Sequence, residues 1–316
     1  MTVLEGILPV WKPAGMTSHD VVAKVRRITK EKRIGHTGTL DPQVTGVLPL
    51  CIGHATRLVE HIQELPKTYV ARLVFGIATD TEDLTGTIID RDENVRVDRD
   101  RLTEALGKFV GEIEQIPPMY SAVKVGGKRL YELARSGEEI DRKARTVTVY
   151  TLKLLDTQLD QPLPEASIEV QCSKGTYIRT LCVDIGRTLG VPSVMKELVR
   201  TKTGHWSQEQ CLTLEQIEQL HKQGELAKQL VPLGDAVDHL PDVTVSEQQT
   251  AHALQGKKLR LPASVGQTLR SGELVRVYSP QRLFIGLMSW DEAEGLLVPN
   301  KIFSTSFGRE AAPIRT

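Results

Sequence analysis

The sequence predicts an α/β protein with a separate β-rich unit at its C-terminal end, and three observations carry that prediction. Residues 17–33, 100–111 and 176–190 read as helices. Residues 68–77, 146–158 and 166–172 read as strands. Near 230–242 the chain changes character: Pro232, Gly234 and Pro241 punctuate it, and short strands separated by turns follow.

Each element has a local reason. In 17–33, Thr17 or Ser18 can cap a helix whose Val21, Val22, Val25 and Ile28 share one face, with the basic side chains on the other. Residues 34–57 hold Gly35, Gly38, Gly46 and Gly53 and read as a loop. In 68–77, Val70, Leu73 and Phe75 fall in an alternating pattern. The polar, Pro-containing stretch Asp160–Glu165 bridges the strands at 146–158 and 166–172, and Gly190 stops the helix at 176–190. Glu273–Tyr278 and Leu283–Met288 flank Ser279-Pro280-Gln281-Arg282, a hairpin signal inside a β-rich unit placed at 240–310.

Composition narrows the function classes. The chain has 316 residues, enough for a large domain and a small one, and only 4% are aromatic, so the core must be aliphatic. Lys+Arg and Asp+Glu are 40 each, which argues mildly against a nucleic-acid partner. The average hides two basic runs. Residues 24–33 hold six basic side chains against Glu31, and residues 172–204 hold six against Asp184 and Glu197, while acids collect at 80–100. A neutral protein can therefore present a basic face. Cys51, Cys172, Cys182 and Cys211 form no CxxC pair and read as reduced thiols, not as a zinc or redox site. No secretion signal is evident, and no stretch approaches the ~20 apolar residues of a membrane helix, so the expected location is cytoplasmic, away from any membrane.

The chemistry is concentrated in Gly35-His36-Thr37-Gly38-Thr39-Leu40-Asp41-Pro42-Gln43-Val44-Thr45-Gly46-Val47-Leu48-Pro49. Gly35 and Gly38 allow the backbone to approach a ligand closely. Pro42 restricts Asp41 to extended backbone. The result is a carboxylate on a stiff loop between the aliphatic anchors Leu40 and Val47-Leu48. The Lys-Ser/Thr pair of a phosphate-binding loop is absent. Read alone, an Asp-Pro pair is a turn starter and His36 is structural.

The full string resembles the signature of the TruB-type pseudouridine synthases, departing only at Val44, where that family usually has Ala. Lys12-Pro13-Ala14-Gly15-Met16-Thr17-Ser18, Lys67-Thr68-Tyr69 and Cys172–Leu181 resemble further segments of the family, as does Pro117–Lys124, read as support for the sheet and the RNA surface. The resemblance implies a large mixed, mainly antiparallel sheet with flanking helices (residues 1–238), followed by a small PUA-like β-barrel that binds RNA (239–316). It implies isomerisation of a uridine in the TΨC loop of tRNA, position 55, with no cofactor and no metal. Asp41 would be the catalytic carboxylate, as nucleophile or as base. Arg179 would be its ion-pair partner, and Tyr69 would stack on a base flipped out of the RNA. His36 matches the wedge that fills the vacated stack, and Tyr177 and Leu198 match pocket-lining positions. Lys174, Arg200, Lys257 and Lys258 are candidate contacts to the RNA backbone, with Arg260 beside them. A monomer without a protein partner is expected. A non-catalytic RNA-binding or tRNA-folding protein, and a guide-dependent synthase acting on rRNA, are the competing readings.

Overall fold

The computed structural model describes residues 4–121, 123–138, 140–262 and 266–303. The chain begins with strand β1 (Gly6–Lys12), helix α1 (Ser18–Thr29), strands β2 (Ile34–His36) and β3 (Thr45–Ile52), and helix α2 (Val59–Gln63). Strand β4 (Lys67–Phe75) leads into a side hairpin of β5 (Ile77–Thr79) and β6 (Ile88–Arg91). Helix α3 (Arg99–Gly107), strand β7 (Gly111–Gln115), a small hairpin of β8 (Lys124–Val125) and β9 (Lys128–Arg129), and helix α4 (Leu130–Arg135) come next. The long strand β10 (Arg145–Gln158), β11 (Glu165–Cys172), helix α5 (Ile178–Leu189), β12 (Ser193–Thr203), β13 (Trp206–Ser207) and helix α6 (Leu214–Lys222) complete the larger part.

These strands form one nine-stranded sheet in the order β1-β3-β12-β4-β11-β10-β7, with β2 paired to β3 and β13 to β12. Every pairing is antiparallel except β12 with β3, which run parallel at Val199/Thr45 and Arg200/Gly46. The mixed, mainly antiparallel sheet expected from the resemblance is present. Helices α3 and α5 cover one region of it through Leu102, Leu106, Leu181 and Ile185, packed on Leu73, Phe75, Ile168 and Val170. Helices α1 and α6 cover another through Val21, Val22, Val25 and Ile217, packed on Leu48 and Leu50. The core is aliphatic, as the low aromatic content requires. Of the two candidate caps for α1, Thr17 does the capping: its hydroxyl accepts the Asp20 N–H at 3.0 Å, and the Asp20 carboxylate accepts the Thr17 N–H at 2.9 Å.

The expectation of a loop over 34–57 is corrected. Residues 34–36 and 45–52 are strands, and residues 46–52 are wholly buried. β3 contains Pro49, and proline cannot donate to a ladder. The register shows how it is tolerated. Pro49 stands opposite Pro9, while Ile7 and Trp11, two residues either side of Pro9, donate away from β3 to Val231 and Leu212. Pro9 thus occupies a position whose N–H would not have faced β3.

Gly46 is the closest backbone approach in this region. Its φ is +123°, and a Cβ there would stand 2.2 Å from the Arg200 carbonyl oxygen. Gly46→Ala is expected to force β3 and β12 apart at their parallel contact, a loss of about 3 kcal/mol. Urea unfolding tests this; an unchanged midpoint would contradict it.

The C-terminal unit consists of β14 (Asp242–Thr244), helix α7 (Glu247–Leu254), β15 (Leu259–Arg260), β16 (Leu274–Tyr278), β17 (Phe284–Asp291) and β18 (Leu296–Ile302). Its five strands pair in the order β14-β16-β17-β18-β15. The hairpin predicted around Ser279–Arg282 is the β16–β17 connection, with Arg282 at φ +62°. Residues 304–316 of the sequence-assigned unit lie outside the described residues. The unit is docked firmly: Leu287 and Phe303 share a core with Leu58, Ile62 and Trp206, and Arg57 lies 5.0 Å from the Phe303 ring. Among the described residues no helix is long and apolar enough to cross a membrane.

Candidate active site

Asp41 lies in the loop between β2 and β3, and the β1–α1 segment grips that loop on both sides of it. Before Asp41, the Ser18 hydroxyl accepts the Leu40 N–H at 2.8 Å. After it, Gly15 N–H donates to the Pro42 carbonyl at 2.9 Å. Lys12 completes the clamp. It is fully buried, and its ammonium donates to the carbonyls of Pro13 (2.8 Å), Pro42 (3.0 Å) and Val44 (2.7 Å). Burial pushes the Lys12 pKa down to about 8, with the Asp41 carboxylate acting against that shift. The carboxylate of Asp41 makes none of these loop bonds and remains available for chemistry.

Arg179 is presented by the first turn of α5 and is only 5% exposed. Its guanidinium makes three contacts: Nη1 donates to Thr81 O at 2.9 Å, Nη2 donates to Tyr120 O at 2.7 Å, and Nη2 is ion-paired with Asp41 Oδ2 at 3.0 Å. A cation so desolvated requires full pairing, and two carbonyls and a carboxylate supply it. Asp41 itself is 44% exposed, so its other face opens outward.

Tyr69 lies on β4 at the centre of the sheet, between Val170 and Arg200 on the neighbouring strands. Burial pushes the Tyr69 phenol up, with the nearby Arg200 opposing the shift. Asp41, Tyr69, Tyr177, Arg179 and Leu198 together line one cavity of about 350 Å³, within the ~300–1,000 Å³ span of small-ligand sites. Lys174 stands at its edge, exposed and ion-paired with Glu64.

Two expected residues sit differently. Arg200, expected to touch RNA phosphates at the surface, is buried at 1% exposure. Its Nε donates to Val47 O at 2.7 Å and its Nη2 to Gly38 O at 3.1 Å, so it braces the Asp41 loop from beneath. The parallel β3–β12 contact draws it inward. His36 is partly buried at the end of β2 and is not among the residues lining the cavity, which start at Thr37. Its Nδ1 accepts the Gly38 N–H at 3.3 Å, and burial pushes its pKa down, with Arg200 adding to the effect. Lys257 and Lys258 are exposed on the C-terminal unit, and Lys258 is ion-paired with Glu294.

Sequence reasoning missed the clamp. Lys12 reads only as the first residue of a family-like segment and Ser18 as a second candidate cap; only the fold turns both onto the Asp41 loop. Lys12→Met is expected to cost about 3 kcal/mol of stability, because the carbonyls lose a charged donor. It should also slow turnover on the order of 10²-fold by loosening the carboxylate. Urea unfolding with single-turnover kinetics checks both, and an unaltered rate would remove the clamp from the catalytic argument.

Comparison with known proteins finds relatives over most of the chain. A family model described as TruB family pseudouridylate synthase (N terminal domain) matches residues 26–178. The tRNA pseudouridylate synthase B C-terminal domain matches 179–238, and Pseudouridine synthase II TruB, C-terminal, matches 241–303. The tRNA pseudouridine synthase B of Listeria innocua is 42% identical over 301 residues, covering 95% of this chain and 98% of that protein. That of Halalkalibacterium halodurans is 48% identical over 251 residues, covering 78% and 81%. Among solved structures, a chain of a Cbf5-Nop10-Gar1 complex superposes with a TM-score of 0.73 at 28% identity, covering 95% of this chain and 85% of that one. A chain of an H/ACA RNP bound to a substrate RNA containing 2′-deoxyuridine superposes with a TM-score of 0.71 at 26% identity, covering 94% and 84%.

Proposed function

The chain belongs to the TruB family of pseudouridylate synthases, and on that premise we propose that it converts the uridine at position 55, in the TΨC loop of tRNA, to pseudouridine with Asp41 as the catalytic carboxylate. The enzyme is an isomerase acting on tRNA. The reaction breaks the bond from C1′ to N1 of the base and forms one from C1′ to C5. The proton on C5 leaves and N1 gains one, so no electrons are exchanged with any outside reagent.

The observation that carries the reading is the Asp41–Arg179 pair at the cavity that Tyr69 also lines. Asp41 either attacks C1′ or removes a ribose proton next to it. In both routes the carboxylate must be held at the sugar, which the Lys12 and Ser18 bonds and the Arg179 fork accomplish. Tyr69 stacks on the flipped base. His36, whose pKa burial pushes down, supplies the wedge. Tyr177 and Leu198 shape the pocket, and Lys174 meets the RNA backbone. Arg200 acts from beneath the loop. The C-terminal unit binds RNA through the exposed edge that carries Lys257, Lys258 and Arg260, and its shared core with the larger part keeps that edge in fixed register with the cavity. The protein works as a cytoplasmic monomer without guide RNA.

A pure RNA-binding protein has no use for a buried arginine committed to a half-exposed carboxylate. The test is tritium release from tRNA transcribed with 5-tritiated uridine, with no guide RNA added. One equivalent released per tRNA, and none when the T-loop uridine is replaced by cytidine, is the expected result. Binding without release would make the protein a tRNA-folding factor.

A further inference from the structure

Ser121 lies in the family-like segment Pro117–Lys124, next to the Tyr120 whose carbonyl accepts from Arg179. It is 5% exposed, and among the described residues its hydroxyl has no hydrogen-bond partner. It nevertheless lines the Asp41 cavity. The other buried or half-buried serine and threonine hydroxyls there are engaged: Thr37 donates to Pro49 O at 3.2 Å, Thr176 donates to Ser173 O at 3.0 Å, and Ser173 accepts the Thr148 N–H at 2.9 Å.

Leaving a buried hydroxyl unpaired is as unfavourable as losing a hydrogen bond. The backbone gives Ser121 no freedom to escape it. Its own carbonyl accepts the Tyr131 N–H at 3.1 Å, and the carbonyl of Tyr120 accepts from Arg179 Nη2 at 2.7 Å. That same nitrogen stands 3.0 Å from Asp41 Oδ2. The residue next to Ser121 is therefore tied to the nitrogen that pairs with the Asp41 carboxylate, and the Ser121 hydroxyl lines the same cavity as that carboxylate.

We propose that Ser121 is a substrate-binding residue whose hydroxyl pairs with the ribose 2′-hydroxyl of the flipped nucleotide. The assignment rests on the reading of the cavity as the uridine site. A serine hydroxyl can both donate and accept, as can a 2′-hydroxyl, so the pair is satisfied in either direction.

The test uses the full-length wild type and Ser121→Ala, with a T-arm hairpin carrying either uridine or 2′-deoxyuridine at the target position. Affinities are measured for both hairpins, with tritium release on the uridine form and a thermal melt of each free protein. Ser121→Ala is expected to bind the uridine hairpin about 3- to 10-fold more weakly and to lose kcat/KM by at least that factor. It should bind the 2′-deoxyuridine hairpin as wild type does, and the free variant should melt no lower than wild type, because the hydroxyl has no partner to lose. A lower melting temperature accompanying the lost turnover would mark a structural hydroxyl and overturn the proposal. A variant that still discriminates against 2′-deoxyuridine by the full wild-type factor would place the hydroxyl on the base instead and overturn it equally. Unchanged affinity and turnover would sink it as well. Absence of wild-type release would strike at the function of the site itself, and the binding comparison would still decide the fate of Ser121.

Discussion

Asp41→Asn is expected to abolish tritium release, a loss of about 10³-fold or more, while tRNA affinity changes little. The magnitude follows from the role: an amide can neither attack C1′ nor take a ribose proton, and losing a nucleophile costs more than this while losing a positioned base costs about 10²–10⁴-fold. The survival of binding follows from the geometry. The loop is held by backbone bonds from Lys12, Gly15 and Ser18 to residues 40, 42 and 44, and none of them uses the Asp41 side chain. Arg179 keeps the carbonyls of Thr81 and Tyr120. Because Asp41 is 44% exposed, water can replace part of what the carboxylate gave, so the stability loss should stay near ~1 kcal/mol. Single-turnover release and filter binding on the same preparation separate the outcomes. Release within tenfold of wild type would remove Asp41 from the chemistry; loss of binding in step with release would show that the substitution had disturbed the loop.

How much of this was legible beforehand depended on the range of each interaction. Local patterns identify α1, β4, β10, β11 and α5 within a few residues, because capping and periodicity act over one or two turns. Thr17 and Asp20 show this most directly, since both halves of the capping box lie within four consecutive residues. The strands inside 34–57 were hidden for a physical reason. Residues 46–52 are buried throughout and show no alternation, while Pro49 and the glycines mimic a loop. Asp41, Tyr69 and Arg179 were found through motif resemblance. Elementary chemistry alone left Asp41 a turn starter and would have put Arg179 at the surface. Lys12 and Arg200 escaped because their roles are set by long-range pairing. Lys12 meets carbonyls 30 and 32 residues away, and Arg200 reaches Val47 across 153 residues. A buried cation whose partners are all backbone carbonyls leaves no complementary acid in the sequence to reveal it.

Arg179→Lys is the second large effect and the sharper test of how the site is built, because charge is kept and only geometry is lost. The guanidinium meets three acceptors at once, with one nitrogen on Thr81 and the other shared between Tyr120 and Asp41. A lysine ammonium is a point donor on a differently shaped stem and cannot reproduce that fork. At least one acceptor would lose its donor, at about 1–3 kcal/mol. The consequence is not confined to Asp41. Thr81 belongs to the β5–β6 connection, which is tied to α5 a second time by the Thr180 hydroxyl donating to Glu82 at 2.7 Å and to β12 through Leu84 and Met195. Those ties keep the connection folded when the fork is gone, so Arg179→Lys should remain native but with an Asp41 carboxylate no longer fixed by its neighbour. Misplacement on the ångström scale is worth on the order of 10²-fold in rate. The expected result is therefore turnover reduced about 10²-fold, tRNA affinity within a few-fold of wild type, and a cooperative melt at modestly lower temperature. A rate within threefold of wild type would show that charge alone suffices and that the fork has no positioning role. A non-cooperative melt would show that Arg179 is primarily a structural tie, and the contribution to rate would then have to be sought through the Thr180–Glu82 contact.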